Sequence, residues 1–232
     1  MTGDRNIWAV VPIKNTAAAK QRLADAAPPG FRRAFALAMA EDVLAALAAA
    51  RGLAGIIVVT VDPTAAALAA RYGAICRNDG ALDGHTGAVT AAGRRLAAEG
   101  GGGMLTVPGD IPLLTAAEIE AVIAAHGPAP AFTIAPAHDE LGSNAILMSP
   151  PDAVPLRFGD DSYFPHLAAA EAQGIRPTIV RLPGIAFDID NPVDLANFAR
   201  LGSRTRAGLL LAEHFTPAGE RGEVAWQGIQ TF

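Results

Sequence analysis

One cysteine, Cys76, stands in a chain of 232 residues. No intrachain disulfide can form, and no cysteine-based metal site can be built. That scarcity suits a reducing compartment, and a cytoplasmic location is expected. Lysine is nearly as scarce: the 18 cationic side chains are arginines apart from Lys14 and Lys20. Against that bias two lysines so close together stand out, because lysine is a compact, movable point charge suited to phosphates. Long apolar runs are missing as well. The Ala-rich stretch 43–50 is too short to span a bilayer. The start, Met-Thr-Gly-Asp, has no basic segment leading into an apolar core, so no signal peptide is expected. Positive charge is not in excess, the formal net charge being -5. A nucleic-acid or anionic-membrane surface needs a basic face, so neither partner is expected. A nucleotide stays compatible, since local cations and a metal outweigh a global balance of this size.

What is present is apolar and regularly punctuated. Hydrophobic residues make up 51% of the chain and charged residues 18%, which predicts a folded chain with a core of its own. Ile7 to Ile13 reads as a buried strand, and residues 31–50 as a helix with Phe35, Met39, Val43 and Leu47 along one stripe. Strands follow at 56–61, 74–77 and 104–107, with helices at 63–71, 86–98 and 115–125 between and after them. Thr115 and Glu118 make a capping-box pattern. Four strand–helix alternations predict right-handed crossovers and a parallel sheet covered on both faces. Strands at 131–136 and 144–149, a helix at 161–173, a strand at 178–182, an extended piece at 186–189 and a final helix from Pro192 complete the pattern. The expected fold is a single α/β Rossmann-like domain with a mixed, mostly parallel central sheet. It is expected to span 1–216, followed by a tail, 217–232, whose Pro, Gly and charge content is compatible with mobility.

Ligands of open parallel sheets bind beyond the carboxyl ends of the strands, and four segments with chemistry lie at such ends. Pro12-Ile13-Lys14 runs on to Lys20-Gln21-Arg22, three cations after the first strand. Such charge suits a triphosphate, although the loop has neither the Walker A spacing nor the two-glycine dinucleotide fingerprint. A solvated basic loop is the plain alternative. Pro108-Gly109-Asp110 follows the fourth strand in what reads as a tight, strained turn, aiming one carboxylate off the sheet edge toward a hard cation or merely capping the turn. Asp188-Ile189-Asp190 on an extended segment puts two carboxylates on one side, costly unless a cation lies between them. Asp190 or Asn191 also suits the cap of the helix at Pro192. Leu141-Gly142-Ser143-Asn144 and Phe158-Gly159-Asp160-Asp161-Ser162 offer donors to an acidic substrate, and His166 lies one turn beyond Ser162, facing the same pocket or only capping.

Taken in order, V-P-I-K with K-Q-R-L, P-G-D-I-P, G-S-N-A-I, F-G-D-D-S and D-I-D-N-P-x-D-L make the chain resemble the guanylyltransferases of deazaflavin coenzyme F-420 biosynthesis. The likeness covers roughly residues 7–200, and more widely reaches the nucleotide-diphospho-sugar transferase superfamily. It implies transfer of GMP from GTP to 2-phospho-L-lactate, phosphoenolpyruvate or 3-phospho-D-glycerate with release of pyrophosphate. It implies Mg²⁺, with Mn²⁺ as a substitute, on Asp110, Asp188 and Asp190, and catalytic roles for these with Lys14 and Lys20. Pro12, Ile13, Lys14, Lys20, Arg22, Gly84, Thr86, Pro108 and Gly109 would line the nucleotide, and Ser143, Asn144, Gly159, Ser162 and His85 the acceptor. The partners are then GTP and a small phosphorylated carboxylic acid, with a homodimer left open. One stretch departs: the family's Gly-Leu-Asn is here Gly84-His85-Thr86, where His85 is either an added cation for an acidic acceptor or an exposed side chain. Acceptor and base preference therefore stay open, and the rival readings are a nucleotidyltransferase for another acceptor or NTP, or a catalytically silent nucleotide-binding protein.

Overall fold

The structure, a computed structural model, describes residues 6–16, 19–159, 161–218 and 223–226. Strands β1 (Ile7–Pro12), β2 (Leu53–Val59), β3 (Ile75–Arg77) and β4 (Gly103–Thr106) are joined by helices α1 (Pro29–Ala49), α2 (Pro63–Arg71) and α3 (Gly84–Ala98). All pairings among these four strands are parallel, as the strand–helix alternation predicts. Helix α4 (Ala116–Ala125) leads to β5 (Ala131–Pro136) and β6 (Ser143–Ser149). Helix α5 (Tyr163–Ala172), β7 (Thr178–Ile179), the short α6 (Pro183–Ala186), α7 (Pro192–Arg200) and α8 (Arg206–His214) follow, then β8 (Phe215–Ala218) and β9 (Glu223–Trp226).

The main sheet runs β3-β2-β1-β4-β6-β5-β7. Only β6 is antiparallel to both its neighbours, β4 and β5. This single reversal places the beginning of β6, Ser143 and Asn144, at the edge where β1 and β4 end. Alternation along the strands fills both faces. Ile7, Ala9 and Val11 pack with α1, α2 and α4, while Val10, Met104 and Ile146 pack with α3 and α5. A third cluster joins α1, α7 and α8 through Phe35, Met39, Leu195, Phe198 and Leu211, and includes Ile189.

Several expectations shift. The strand expected at 178–182 is only two residues long, because Pro183 opens a helical turn there. The final helix is two: Gly202, with φ 57°, breaks the run, and Thr205 caps α8 by accepting from the Gly208 N–H. Gly109 adopts no left-handed backbone and a Cβ there would meet only ordinary contacts, so the turn before Asp110 is not strained. The expected domain boundary at 216 falls within β8, and 219–222 and 227–232 of the expected tail lie outside the described residues. No helix among the described residues is long and apolar enough to cross a membrane.

Phe35 is fully buried against Phe198 and Phe31 beneath the segment that carries Ile189. Phe35→Ala is expected to cost about 3–5 kcal/mol, read as a lowered midpoint in urea unfolding at pH 7.5 or so. A loss under about 1 kcal/mol would mean that this cluster is not packed as described.

Candidate active site

A cavity of about 920 Å³ opens at the carboxyl edge of β1 and β4, and every residue singled out above as a nucleotide, acceptor or metal contact lines it. Its centre is acidic. Asp110 follows β4, and its carbonyl accepts the Ile189 N–H at 3.2 Å, which draws the 188–190 segment alongside. Ile189 is fully buried in the core, so Asp188 and Asp190 both turn to the cavity. Two caps hold the segment from either side. The Glu118 carboxylate, part of the capping box on α4, accepts the Gly184 N–H at 2.6 Å. Asn191 caps α7 and Asp194 reaches back to the Asp190 and Asn191 N–H groups at 2.9 and 3.0 Å. Asn191 is thus the cap, and Asp190 is left for the site.

Lys20 lies at the heart of this acidic centre. Its Nζ donates to Asp110 Oδ2 at 2.7 Å and Asp190 Oδ1 at 2.9 Å, from a left-handed backbone with φ 51°. Burial alone would lower its pKa, but the two carboxylates raise it above its ordinary value. Burial would raise Asp110, but Lys20 brings it below the usual carboxylate range. Asp188 differs. Its hydrogen-bond partner is Asn144 Nδ2 at 3.1 Å, and burial with the Asp110 and Asp190 charges pushes its carboxyl up. Arg22 Nη1 lies 3.9 Å from Asp190, and the His138 ring 4.0 Å from Asp188.

Among the described residues, no group of three or more acidic, His or Cys side chains is arranged as a metal cage. The expected three-aspartate metal set is gathered at one place, but an ammonium stands between two of its members. The reason is charge: with three carboxylates in reach, the nearest mobile cation is drawn in. The donor set nevertheless fits a hard divalent ion. Three carboxylates face one ammonium, and Asp188, which that ammonium does not reach, has its ionised form disfavoured.

The cationic loop is anchored by a residue that the sequence reading passed over. Asp62 caps α2 through the Thr64 and Ala65 N–H groups and also accepts from the Thr16 N–H at 2.8 Å and from its hydroxyl. Burial opposes its ionisation, yet these bonds hold its pKa down to about 2. The Asp62-Pro63 pair, a cap before a first-turn proline, was the available signal. Lys14, Pro12, Ile13 and Arg22 line the cavity from this loop, with Pro108 and Gly109 beside them.

The opposite wall joins Gly84-His85-Thr86 to Phe158 and Gly159. Gly84 enters α3 with φ 74°, a conformation that favours glycine. Thr86 Oγ1 accepts the Phe158 N–H at 3.0 Å, and the His85 ring packs on Phe158 at 4.2 Å. Burial pushes His85 down to about 4, with Asp110 opposing and Lys14 reinforcing. His85 is not the exposed side chain that was one of the two expectations for it, and burial disfavours its charged form in this cavity. Behind this wall His166 is buried; its ring bonds Ser143 rather than capping a helix, and it does not itself line the cavity. Ser143, Asn144, Gly159 and Ser162 line the cavity, while Asp160 lies outside the described residues.

Residues 7–213 match the family model described as "Guanylyl transferase CofC like". A phosphoenolpyruvate guanylyltransferase of Rubrobacter xylanophilus is 37% identical over 198 residues, covering 85% of this chain and 95% of that protein. A 3-phospho-D-glycerate guanylyltransferase of Colwellia psychrerythraea is 33% identical over 194 residues, covering 84% and 91%. Among solved structures, a candidate nucleotide-diphospho-sugar transferase of Desulfovibrio desulfuricans G20 superposes with a TM-score of 0.72 at 17% identity, covering 90% and 94%. A 4-diphosphocytidyl-2C-methyl-D-erythritol synthase gives a TM-score of 0.57 at 15% identity, covering 84% and 97%. These two likenesses bear on the fold, an open, mostly parallel sheet of the nucleotidyltransferase type.

The buried imidazole carries a pH signature. Burial, with His85 and Arg157 adding to it, holds His166 down to about 4, well under the ordinary value of roughly 6.5. Between those values the unfolded chain binds the proton more tightly, so stability rises with pH across that window. The contribution is whole above about pH 6.5 and is lost as pH falls toward 4, on the order of 3 kcal/mol for this group. Urea midpoints measured between about pH 7.5 and 4.5 should fall on acidification, and fall less in His166→Phe. Equal acid sensitivity in the two proteins would place the ring's proton uptake outside the folding equilibrium.

Proposed function

The chain belongs to the CofC-like guanylyl transferase family, and from that membership we propose that it transfers GMP from GTP to a small phosphorylated carboxylic acid. The acceptor would be phosphoenolpyruvate or 3-phospho-D-glycerate, the compounds in the relatives' names, with 2-phospho-L-lactate as the third candidate. The product would enter deazaflavin coenzyme synthesis. The observation that carries the reading is the division of one cavity. Cations from the loop after β1 and three carboxylates from the end of β4 and the 188–190 segment occupy its centre, and the neutral groups Ser143, Asn144, Gly159 and Ser162 line the far side.

The chemistry needs little more. A phosphate oxygen of the acceptor attacks the α-phosphorus of GTP, a new P–O bond forms, the bond to the β-phosphate's bridging oxygen breaks, and pyrophosphate leaves. The attacking oxygen is already anionic, so no strong general base is required, and the side chains described form no nucleophile–base pair at the cavity's centre. Lys14, Lys20 and Arg22 neutralise the triphosphate. Asn144 orients Asp188, its Nδ2 also donating to the Ile185 carbonyl at 3.0 Å. Mg²⁺, or Mn²⁺, on Asp110, Asp188 and Asp190 would supply charge neutralisation for the reacting phosphates. Lys20 would then exchange its carboxylate partners for phosphate oxygens.

The direct test is pyrophosphate release from GTP and Mg²⁺ with each acceptor. Activity with at least one is expected; none above background with any would end the proposal. Asp188→Asn should drop turnover by more than about 100-fold with an unchanged circular dichroism spectrum. Lys14→Ala should weaken GTP binding about 10-fold by calorimetry, near 1.4 kcal/mol. Lys20→Met should bind Mn²⁺ without nucleotide at least as tightly as the native protein, yet turn over poorly. Weaker Mn²⁺ binding in that variant would show that Lys20 and metal do not compete for these carboxylates.

A further inference from the structure

His166 lies behind the cavity wall, 1% exposed, and its ring is bonded at both nitrogens. Nε2 receives the backbone N–H of Arg157 at 3.0 Å. An amide N–H can only donate, so Nε2 carries no proton. The neutral ring then holds its hydrogen on Nδ1, 3.0 Å from Ser143 Oγ, and can only donate there. Ser162 Oγ lies 3.4 Å from the same oxygen. The two hydroxyls own two hydrogens, and the contact between them uses one. The other is left over, and both serines line the cavity. An imidazole in the other tautomer would instead take up that hydrogen.

The second nitrogen has its own consequence. Holding the Arg157 N–H fixes the segment that continues into Phe158 and Gly159. Phe158 packs edge-on to His166 at 5.0 Å and is bonded through its own N–H to Thr86. One ring therefore ties the start of β6 to the segment bearing Gly159. The titratable and charged groups that bear on it are His85 and Arg157, and both disfavour its protonation. An apolar side chain of similar size would fill the same space and leave the Arg157 N–H and the serine pair unset.

We propose that His166 is a positioning residue for the acceptor: it orients the Ser143–Ser162 hydroxyl pair to donate one hydrogen bond to the phosphorylated acid, and it pins the Gly159 segment against that acid. This rests on the functional reading above. It assigns no contact between His166 and the nucleotide, so acceptor and nucleotide should respond differently to its loss.

The test is kinetic and spectroscopic, on the full chain with GTP, Mg²⁺ and whichever of phosphoenolpyruvate, 3-phospho-D-glycerate and 2-phospho-L-lactate the native protein uses. His166→Phe should raise the acceptor KM at least about tenfold and leave the GTP KM within about twofold. Ser143→Ala should raise the acceptor KM as well, and the double variant should be no more than about twofold worse than the poorer single one. Multiplicative effects in the double variant, or equal shifts in both KM values, overturn the inference. Long-range ¹H–¹⁵N spectra of the native protein at pH 7 or so give a second reading that needs no variant to fold. The Nδ1–H tautomer is expected; an Nε2–H tautomer or an imidazolium overturns it. A native protein that neither turns over nor binds these acids sinks the functional reading, whereas an active one with flat variants sinks only the role of His166.

Discussion

The contact on which the site turns is the Lys20 ammonium held between Asp110 and Asp190. It exists because two unrelated parts of the chain are brought to the same edge. Asp110 arrives on the end of β4, and Asp188 and Asp190 arrive on a segment clamped by the Asp110 carbonyl, the α4 capping box and the α7 capping box. Three carboxylates in one partly buried place are unstable without compensation. Lys20 compensates two of them, and it does so from a left-handed backbone that a lysine rarely adopts. The cation loop must in turn be held still, and Asp62 holds it through Thr16. A chain of carboxylate-anchored elements thus sets where the cations of the cavity stand.

Most of the architecture was legible in the sequence for a simple reason. Buried parallel strands and amphipathic helices leave different periods, and β1 to β4 with α1 to α4 follow them closely. The reversal at β6 was read only as a strand pair, yet it is what delivers Ser143 and Asn144 to the site. The end of the chain was less legible. Gly202 and Thr205 do carry a stop and a start signal, but the apolar residues on either side continue the same period and mask the break between α7 and α8. The two-residue β7 was overread because Val180 and Leu182 extend its apolar pattern while packing with the core as coil.

The site divides in the same way. Residues that line the cavity were visible because charge, glycine and short donors stand out at strand ends. Residues that hold them were not. Asp62 and Glu118 look like ordinary helix caps in the sequence, and each spends its second oxygen or second lone pair on a distant backbone group. No local pattern encodes the distance spanned. His166 is similar: its spacing from Ser162 suggested a shared pocket, but only the fold reveals Ser143 on one nitrogen and Arg157 on the other.

The stretch Gly84-His85-Thr86 is held by contacts with the segment across the cavity. Thr86 accepts the Phe158 N–H through its hydroxyl oxygen. His85 gives up its charge, with its pKa at about 4, and lies against Phe158 while facing Asp110 and Lys14. A neutral ring there neither competes with Lys20 for Asp110 nor repels Lys14. An imidazolium in the same place would do both. The Gly84-His85-Thr86 side of the cavity thus faces Lys14, Lys20 and Asp110 with an imidazole held neutral and a hydroxyl already bonded to Phe158.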